Sequence, residues 1–351
     1  MLLAALSAGP GAAQSSSQSA DGARVALIEA TKRSVVHVKA VLPAPPTIEL
    51  PQDRRSRKTR DIIQQLTGGR TAEPRREEGS GFVIDAAAGL ILTAAHIVDD
   101  AVSLSIVQVD GTEVPAERVG VDHGSGIALL RAPVPALRPL KLASRIPAAG
   151  ETGLVVGYML PLKSVLSLEG MVMGTASSEA FGSEAPLLAD YLAFDAALPN
   201  GGFGGAPVID RTGEAIGIVS AIFGHGYGPD AITMILPVAQ LRPAIEQLAS
   251  SGRVRRGWIG AEIECAPFPC VVSSTVPGGP ADLSGIRAGD RVVSIGGVSI
   301  ARSGLAERAI AQAPIGATLN VELLRPDRTP ASITIAVKTA ANPEVESASI
   351  P

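Results

Sequence analysis

Gly79-Ser80-Gly81-Phe82-Val83-Ile84-Asp85, then three alanines, then Gly89-Leu90-Ile91-Leu92-Thr93-Ala94-Ala95-His96, is the stretch from which the rest of the chain is read. Its two runs, Gly81–Asp85 and Leu90–Ala94, carry branched and aromatic side chains and are too short for helices. They predict two strands with a small-residue turn between them. Working outward, runs of the same kind recur. One lies upstream at Ser34–Leu42. Others follow at Val102–Val109, Glu113–Val121, Ile127–Arg131, Gly153–Tyr158, Ser167–Ala176, Tyr191–Phe194, Pro207–Ile209, Ala215–Ile222 and Ala231–Ile235. Short strands at this spacing, punctuated by Gly and Pro, predict antiparallel β-barrels or a sandwich. Leu236–Ala249 reads as a closing helix, 251–256 as a basic hinge, and a second, smaller unit begins at Gly257.

Composition agrees with this reading. The chain has 351 residues, 46% hydrophobic and 18% charged, which excludes wholesale disorder and suits two domains. Its 38 glycines and 27 prolines, with only 3% aromatics, favour strands and turns over a helical bundle. A net charge of −4 gives no global positive field to draw in nucleic acid or anionic lipid. No apolar run approaches the ~18 residues of a membrane-spanning helix. Two cysteines exclude a disulfide-rich scaffold and a four-cysteine zinc module. No cofactor is expected.

The chain begins Met1-Leu2-Leu3-Ala4-Ala5-Leu6, and the apolar stretch to Ala13 ends in small residues. It resembles the back half of a secretory signal, without the basic start, so residues 1–20 are expected to be a signal remnant and linker of an exported, periplasmic protein. Asp21 is placed to cap a helix running to about Lys32. Residues 43–78 form a long loop with a basic cluster at Arg54, Arg55, Arg57, Lys58 and Arg60. A loop of that length is functional or mobile. Its cluster is read first as a solvated face balanced by Glu73, Glu77 and Glu78, and second as a dock for an acidic partner. Residues 341–351 are expected to be a disordered tail.

The smaller unit, 257–340, carries Arg256-Gly257-Trp258-Ile259-Gly260 and then Pro280-Ala281-Asp282-Leu283-Ser284-Gly285-Ile286-Arg287-Ala288-Gly289-Asp290. Pro280 can start a short helix, Gly285 can end it, and Gly289-Asp290 turns the chain into a strand. This pattern resembles the PDZ domain appended to HtrA/Deg proteases. The resemblance implies that a partner's carboxy-terminal peptide adds as a strand between the edge near Trp258, Ile259 and Gly260 and a helix around Arg302–Ala313. Amides of that turn would take the terminal carboxylate. The alternative is a domain that only covers the barrels. Cys265 and Cys270 stand five apart, and in an exported protein they are a disulfide candidate; free thiols are the alternative.

The opening stretch, in turn, resembles the histidine-bearing segment of the same HtrA/Deg family, whose peptidase domain is a trypsin-like pair of six-stranded barrels. The expected fold class is therefore mostly β: a trypsin-like double β-barrel over 21–250, followed by a small α+β PDZ domain. His96 matches the family's catalytic histidine. The family's orienting aspartate should appear next, but Asp122-His123-Gly124-Ser125-Gly126-Ile127 aligns without gaps and sets Gly126 in its place. The nucleophile loop reads Asp195-Ala196-Ala197-Leu198-Pro199-Asn200-Gly201-Gly202-Phe203-Gly204-Gly205, with Phe203 where the family has its serine. Gly201 and its neighbours keep the glycines of an oxyanion-hole-like loop. The Phe203 ring is expected to fill the space a scissile bond needs.

These residues imply a pseudoprotease that binds peptide ends or unfolded chains as scaffold, chaperone or regulator. A rival reading is an active endopeptidase of periplasmic protein quality control with an unorthodox site, using Ser125 or Ser220 or an orienting Asp122. A third gathers His96, His123 and His225 around a transition metal. His37 is expected to be a packed strand residue. Relatives form trimers through amino-terminal aromatics, yet no aromatic precedes Phe82 here. Self-association and pairing with an active relative are therefore both left open.

Overall fold

Val35-Val36-His37-Val38-Lys39-Ala40-Val41 is β-branched at four of seven positions and forms β1 (Val35–Val41), nearly all of it buried. In the computed structural model, which describes residues 11–44, 74–176, 188, 190–198, 201–223, 232–265, 268–301 and 303–339, this strand founds the first barrel. Residues 1–10, most of the loop 43–78, His225 and residues 341–351 lie outside the described residues.

Helix α1 (Gly11–Lys32) precedes β1. It starts ten residues before Asp21, because Ala, Gln and Ser in this run cost a helix little and nothing breaks it. The first barrel continues with β2 (Arg76–Asp85), β3 (Leu90–Ala94), the single turn α2 (Ala95–Val98), β4 (Ser103–Val107), β5 (Glu113–Asp122) and β6 (Ile127–Arg131). These strands close in the order β1-β2-β3-β6-β5-β4, around Val38, Val83, Ile91, Ile106, Leu130 and their neighbours.

The second barrel is β7 (Thr152–Met159), β8 (Ser164–Ala176), β9 (Tyr191–Phe194), β10 (Pro207–Ile209), β11 (Ala215–Phe223) and β12 (Ile232–Pro237). It closes as β10-β11-β12-β9-β8-β7, with Val155, Leu192, Phe194, Ile216 and Met234 buried. Closure removes the sheet edges that two open sheets would leave, so the barrel reading holds over the sandwich. Helix α3 (Val238–Ser251) follows.

The C-terminal domain comprises β13 (Gly257–Trp258), β14 (Ala261–Glu264), β15 (Val271–Thr275), α4 (Pro280–Leu283), β16 (Arg291–Ile295), β17 (Val298–Ser299), α5 (Ser303–Gln312), β18 (Thr318–Leu324), β19 (Pro330–Ala336) and β20 (Lys338–Thr339). One sheet runs β14-β15-β16-β18-β19, and β13 pairs with β20. Ile259, Val272, Ile286, Ile295, Ile310 and Val321 are buried in its core.

The chain divides into two compact units: Met1–Val121 with Ile127–Met173 and Ala193–Ala239, and Asp122–Gly126 with Gly174–Leu192 and Gln240–Pro351. The grouping departs from a boundary near residue 250, since Asp122–Gly126, Gly174–Leu192 and residues 240–250 go with the C-terminal unit. Side-chain ties reach the first two. Arg256 donates to the Asp122 carboxylate, and Arg308 of α5 donates to Asp190.

Candidate functional site

The first barrel presents His96. Ala95, Ile97 and Val98 are buried and fix the single turn of α2, which leaves the histidine as its exposed member. Protein around the ring still displaces enough water to hold its pKa below the ordinary histidine value, against a weaker upward pull from Glu77. The imidazole is therefore a neutral base near pH 7. Its Nε2 faces Gly204, where an added Cβ would stand 3.1 Å away.

The turn holding Gly204 is pinned to the first barrel by Ser80, which is wholly buried. Its Oγ donates to the Gly202 carbonyl (2.6 Å) and accepts from the Tyr158 N–H (2.8 Å), and its own N–H donates to the Gly204 carbonyl (2.7 Å). Glycine is required at the contact: Gly205 has φ +80°, and a Cβ there would lie 2.1 Å from the Ser80 carbonyl oxygen.

Phe203 lies on this same turn. It is 1% exposed, and a Cβ on Gly157 of β7 would come within 2.5 Å of its Cδ1 and 2.8 Å of the Ala206 Cβ. The ring thus takes the room a side chain at 157 would need. A benzyl group gains about 2–3 kcal/mol by leaving water, and the missing side chain at Gly157 leaves a slot for it. Gly201 and Gly202 have φ of +81° and +96°. Among the described residues, the N–H groups of Phe203 and Gly204 meet no acceptor, so the turn keeps amide donors.

Gly126 is buried with φ +70°, and its N–H donates to the Asp122 carbonyl (2.8 Å), closing a turn just ahead of β6. β3 and β6 pair with Ala94 opposite Ile127, so His96 follows the end of one strand and Gly126 precedes the start of the other. No side-chain oxygen exists at 126. Asp122 is 6% exposed, and its carboxylate is engaged by Ser125 Oγ and Arg256. The same bond occupies Ser125, while Ser220 is buried on β11. Of the three histidines weighed for a metal, His123 is exposed and His225 is outside the described residues. Among the described residues no group of three metal-ligating side chains is assembled.

In the C-terminal domain, Trp258, Ile259 and Gly260 form the turn ahead of β14. The Ile259 and Gly260 carbonyls accept from the N–H groups of Ala281 and Val276 (both 2.8 Å). Among the described residues their own N–H groups meet no acceptor. Gly260 has φ +72°, and Ile259 is 2% exposed. β14 is an edge strand, and α5 packs against it. Cys265 and Cys270 are bonded to each other and close the loop from β14 to β15.

Sequence reasoning missed the ties of Ser80, Arg256 and Arg308. Only Ser80 left a signal, since a residue between two glycines marks a close backbone approach. His37 is packed as expected, 3% exposed and stacked on Tyr158 with ring centroids 3.9 Å apart. Its Nε2 lies 2.8 Å from a Glu78 carboxylate oxygen, yet burial outweighs that charge and lowers its pKa.

Comparison with known proteins places two domains on the chain. The family profile of the trypsin-like peptidase domain matches residues 79–218, and that of the PDZ domain matches 271–325. A protein of Brucella suis named "Probable periplasmic serine endoprotease DegP-like" is 30% identical over 237 residues, which are 64% of this chain and 45% of that protein. The chain thus spans about half the length of such relatives. The "Putative serine protease HhoA" of Synechocystis is 28% identical over 309 residues, 80% of this chain and 76% of that one. Among solved structures, "HtrA-type protease AlgW with decapeptide" superposes with a TM-score of 0.69 at 21% identity, covering 90% of this chain and 98% of that one. A serine endoprotease from Yersinia pestis gives 0.64 at 22% identity, covering 90% and 97%. At these identities the superpositions establish the fold.

Proposed function

Because this chain belongs to the HtrA/DegP-like proteins, with a trypsin-like peptidase domain and a C-terminal PDZ domain, we propose that it is a pseudoprotease that holds peptides or unfolded chains without cutting them. One observation carries the reading. At the position matching the family's nucleophile the chain has a buried phenyl ring, and the atom set before the His96 imidazole belongs to a glycine. Loss of the nucleophile alone costs on the order of 10⁶ in turnover in such a site. The loss at Gly126 then removes the group that would hold the imidazole in its working tautomer.

Binding would fall to the C-terminal domain. Its edge strand β14, the helix beside it and the unengaged amides of Ile259 and Gly260 are the parts a carboxy-terminal tail needs. A solved relative named for its bound decapeptide supports the same use. Export is part of the proposal. It rests on relatives named as periplasmic and on the apolar start of the sequence. So is assembly, either with itself or with an active relative, in a scaffold, chaperone or regulatory role.

The test is retention of an unfolded client. Reduced casein incubated with the purified chain should co-elute with it on gel filtration and stay full length for hours. Casein that elutes alone, or that shortens with time, contradicts the reading.

A further inference from the structure

The edge that would receive a tail is short and charged on one side. β14 spans four residues, about 13 Å of extended chain, between the Gly260 turn and the disulfide-bonded Cys265. A tail lying along it meets the strand with about four residues. Alternation then sorts those residues. Ala261 and Ile263 face the core, against which Leu305 and Ala309 of α5 also pack. Glu262 and Glu264 fall on the opposite, exposed face.

A tail whose last residue points toward α5 carries its penultimate and fourth-from-last residues on the face of the two glutamates. Glu262 accepts from Ser274 Oγ (2.9 Å), and among the described residues no cation pairs with either carboxylate. The basic group across this sheet face is Arg291. It is two strands away behind Val271, and its guanidinium lies over the Phe268 ring at 5.7 Å. The outer row beside an incoming strand is therefore acidic.

Resting on the tail-binding reading above, we infer that this domain selects carboxy-terminal tails that end in an apolar residue and carry Lys or Arg at the penultimate and fourth-from-last positions. The partly buried Ala261 and Ile263 offer an apolar face to that end, while Glu262 and Glu264 form opposite-charge cross-strand pairs with the basic residues. Each pair is exposed, so the preference is a matter of several-fold and is weakened by salt.

Fluorescence anisotropy on the full chain tests this with labelled octapeptides ending in valine that differ only at those two positions, Lys, Ala or Glu. Each is made with a free and an amidated terminus. The Lys peptide is expected to bind about tenfold more tightly than the Glu peptide at low salt, with the gap closing at high salt. In the E262K/E264K chain the order reverses. Equal affinities, or tighter binding of the Glu peptide, overturn the charge selection while a requirement for the free terminus leaves tail binding standing. Amidated peptides binding as well as free ones, or no binding by any of the six, overturns both.

Discussion

Phe203 and Gly204 stand on one turn, and its Gly204 faces His96. With the ring in the Gly157 slot, Phe203→Ala opens a cavity, and about 3–5 kcal/mol of stability should be lost in urea denaturation. A loss below about 1 kcal/mol would mean the ring is not packed there. Phe203→Ser should be similarly unstable and still inert, because Gly126 supplies no carboxylate to orient the His96 imidazole. His37 and His96 give a pH signature. Both have folded pKa values lowered by burial, so the unfolded chain takes up protons first as the pH falls. Their contribution is complete above the ordinary histidine pKa and declines as pH drops from there through the folded values. His37→Gln should flatten the fall in Tm between pH 7 and 5, and an unchanged slope would contradict the assignment.

Among the elements, those with the densest apolar pattern were the most readable. β3, β6, β9 and β10 have the limits their sequences predict, since each is a run of branched or bulky residues bounded by a turn. β2 begins five residues earlier than its apolar pattern does. Arg76, Glu77 and Glu78 pair there with Val41, Ala40 and Lys39, and such cross-strand partners are invisible along one strand. The Ser80 pin was equally hidden, because it is made between segments 122 residues apart. Ser80→Ala would strand the Gly202 carbonyl and the Tyr158 amide, at a cost of about 1–3 kcal/mol measured by chemical denaturation. No loss would show that these groups find water instead. The Cys265–Cys270 bridge closes a very short loop, so Cys265→Ser with Cys270→Ser should cost only about 2 kcal/mol. Failure of the domain to fold would give the bridge a larger part than chain entropy allows.

For the whole molecule, the sequence made the double barrel and the PDZ domain legible, because each rests on a local string. It did not reveal that Asp122–Gly126 and Gly174–Leu192 cluster with the C-terminal residues. Within that grouping Arg256 reaches Asp122 and Arg308 reaches Asp190, over separations of 134 and 118 residues. Nor did the sequence show that the Phe203 ring takes space left by the absence of a side chain at Gly157 on another strand. On the proposal made above, a frame that keeps its barrels and its amide-bearing turn but has Phe203 and Gly126 at the positions matching the family's serine and aspartate should bind without reacting. Intact-mass spectrometry after exposure to a fluorophosphonate, with unfolded casein alongside, tests this most directly. The account predicts an unshifted mass and uncut casein. A stoichiometric adduct on any serine, accompanied by casein fragments, would contradict it.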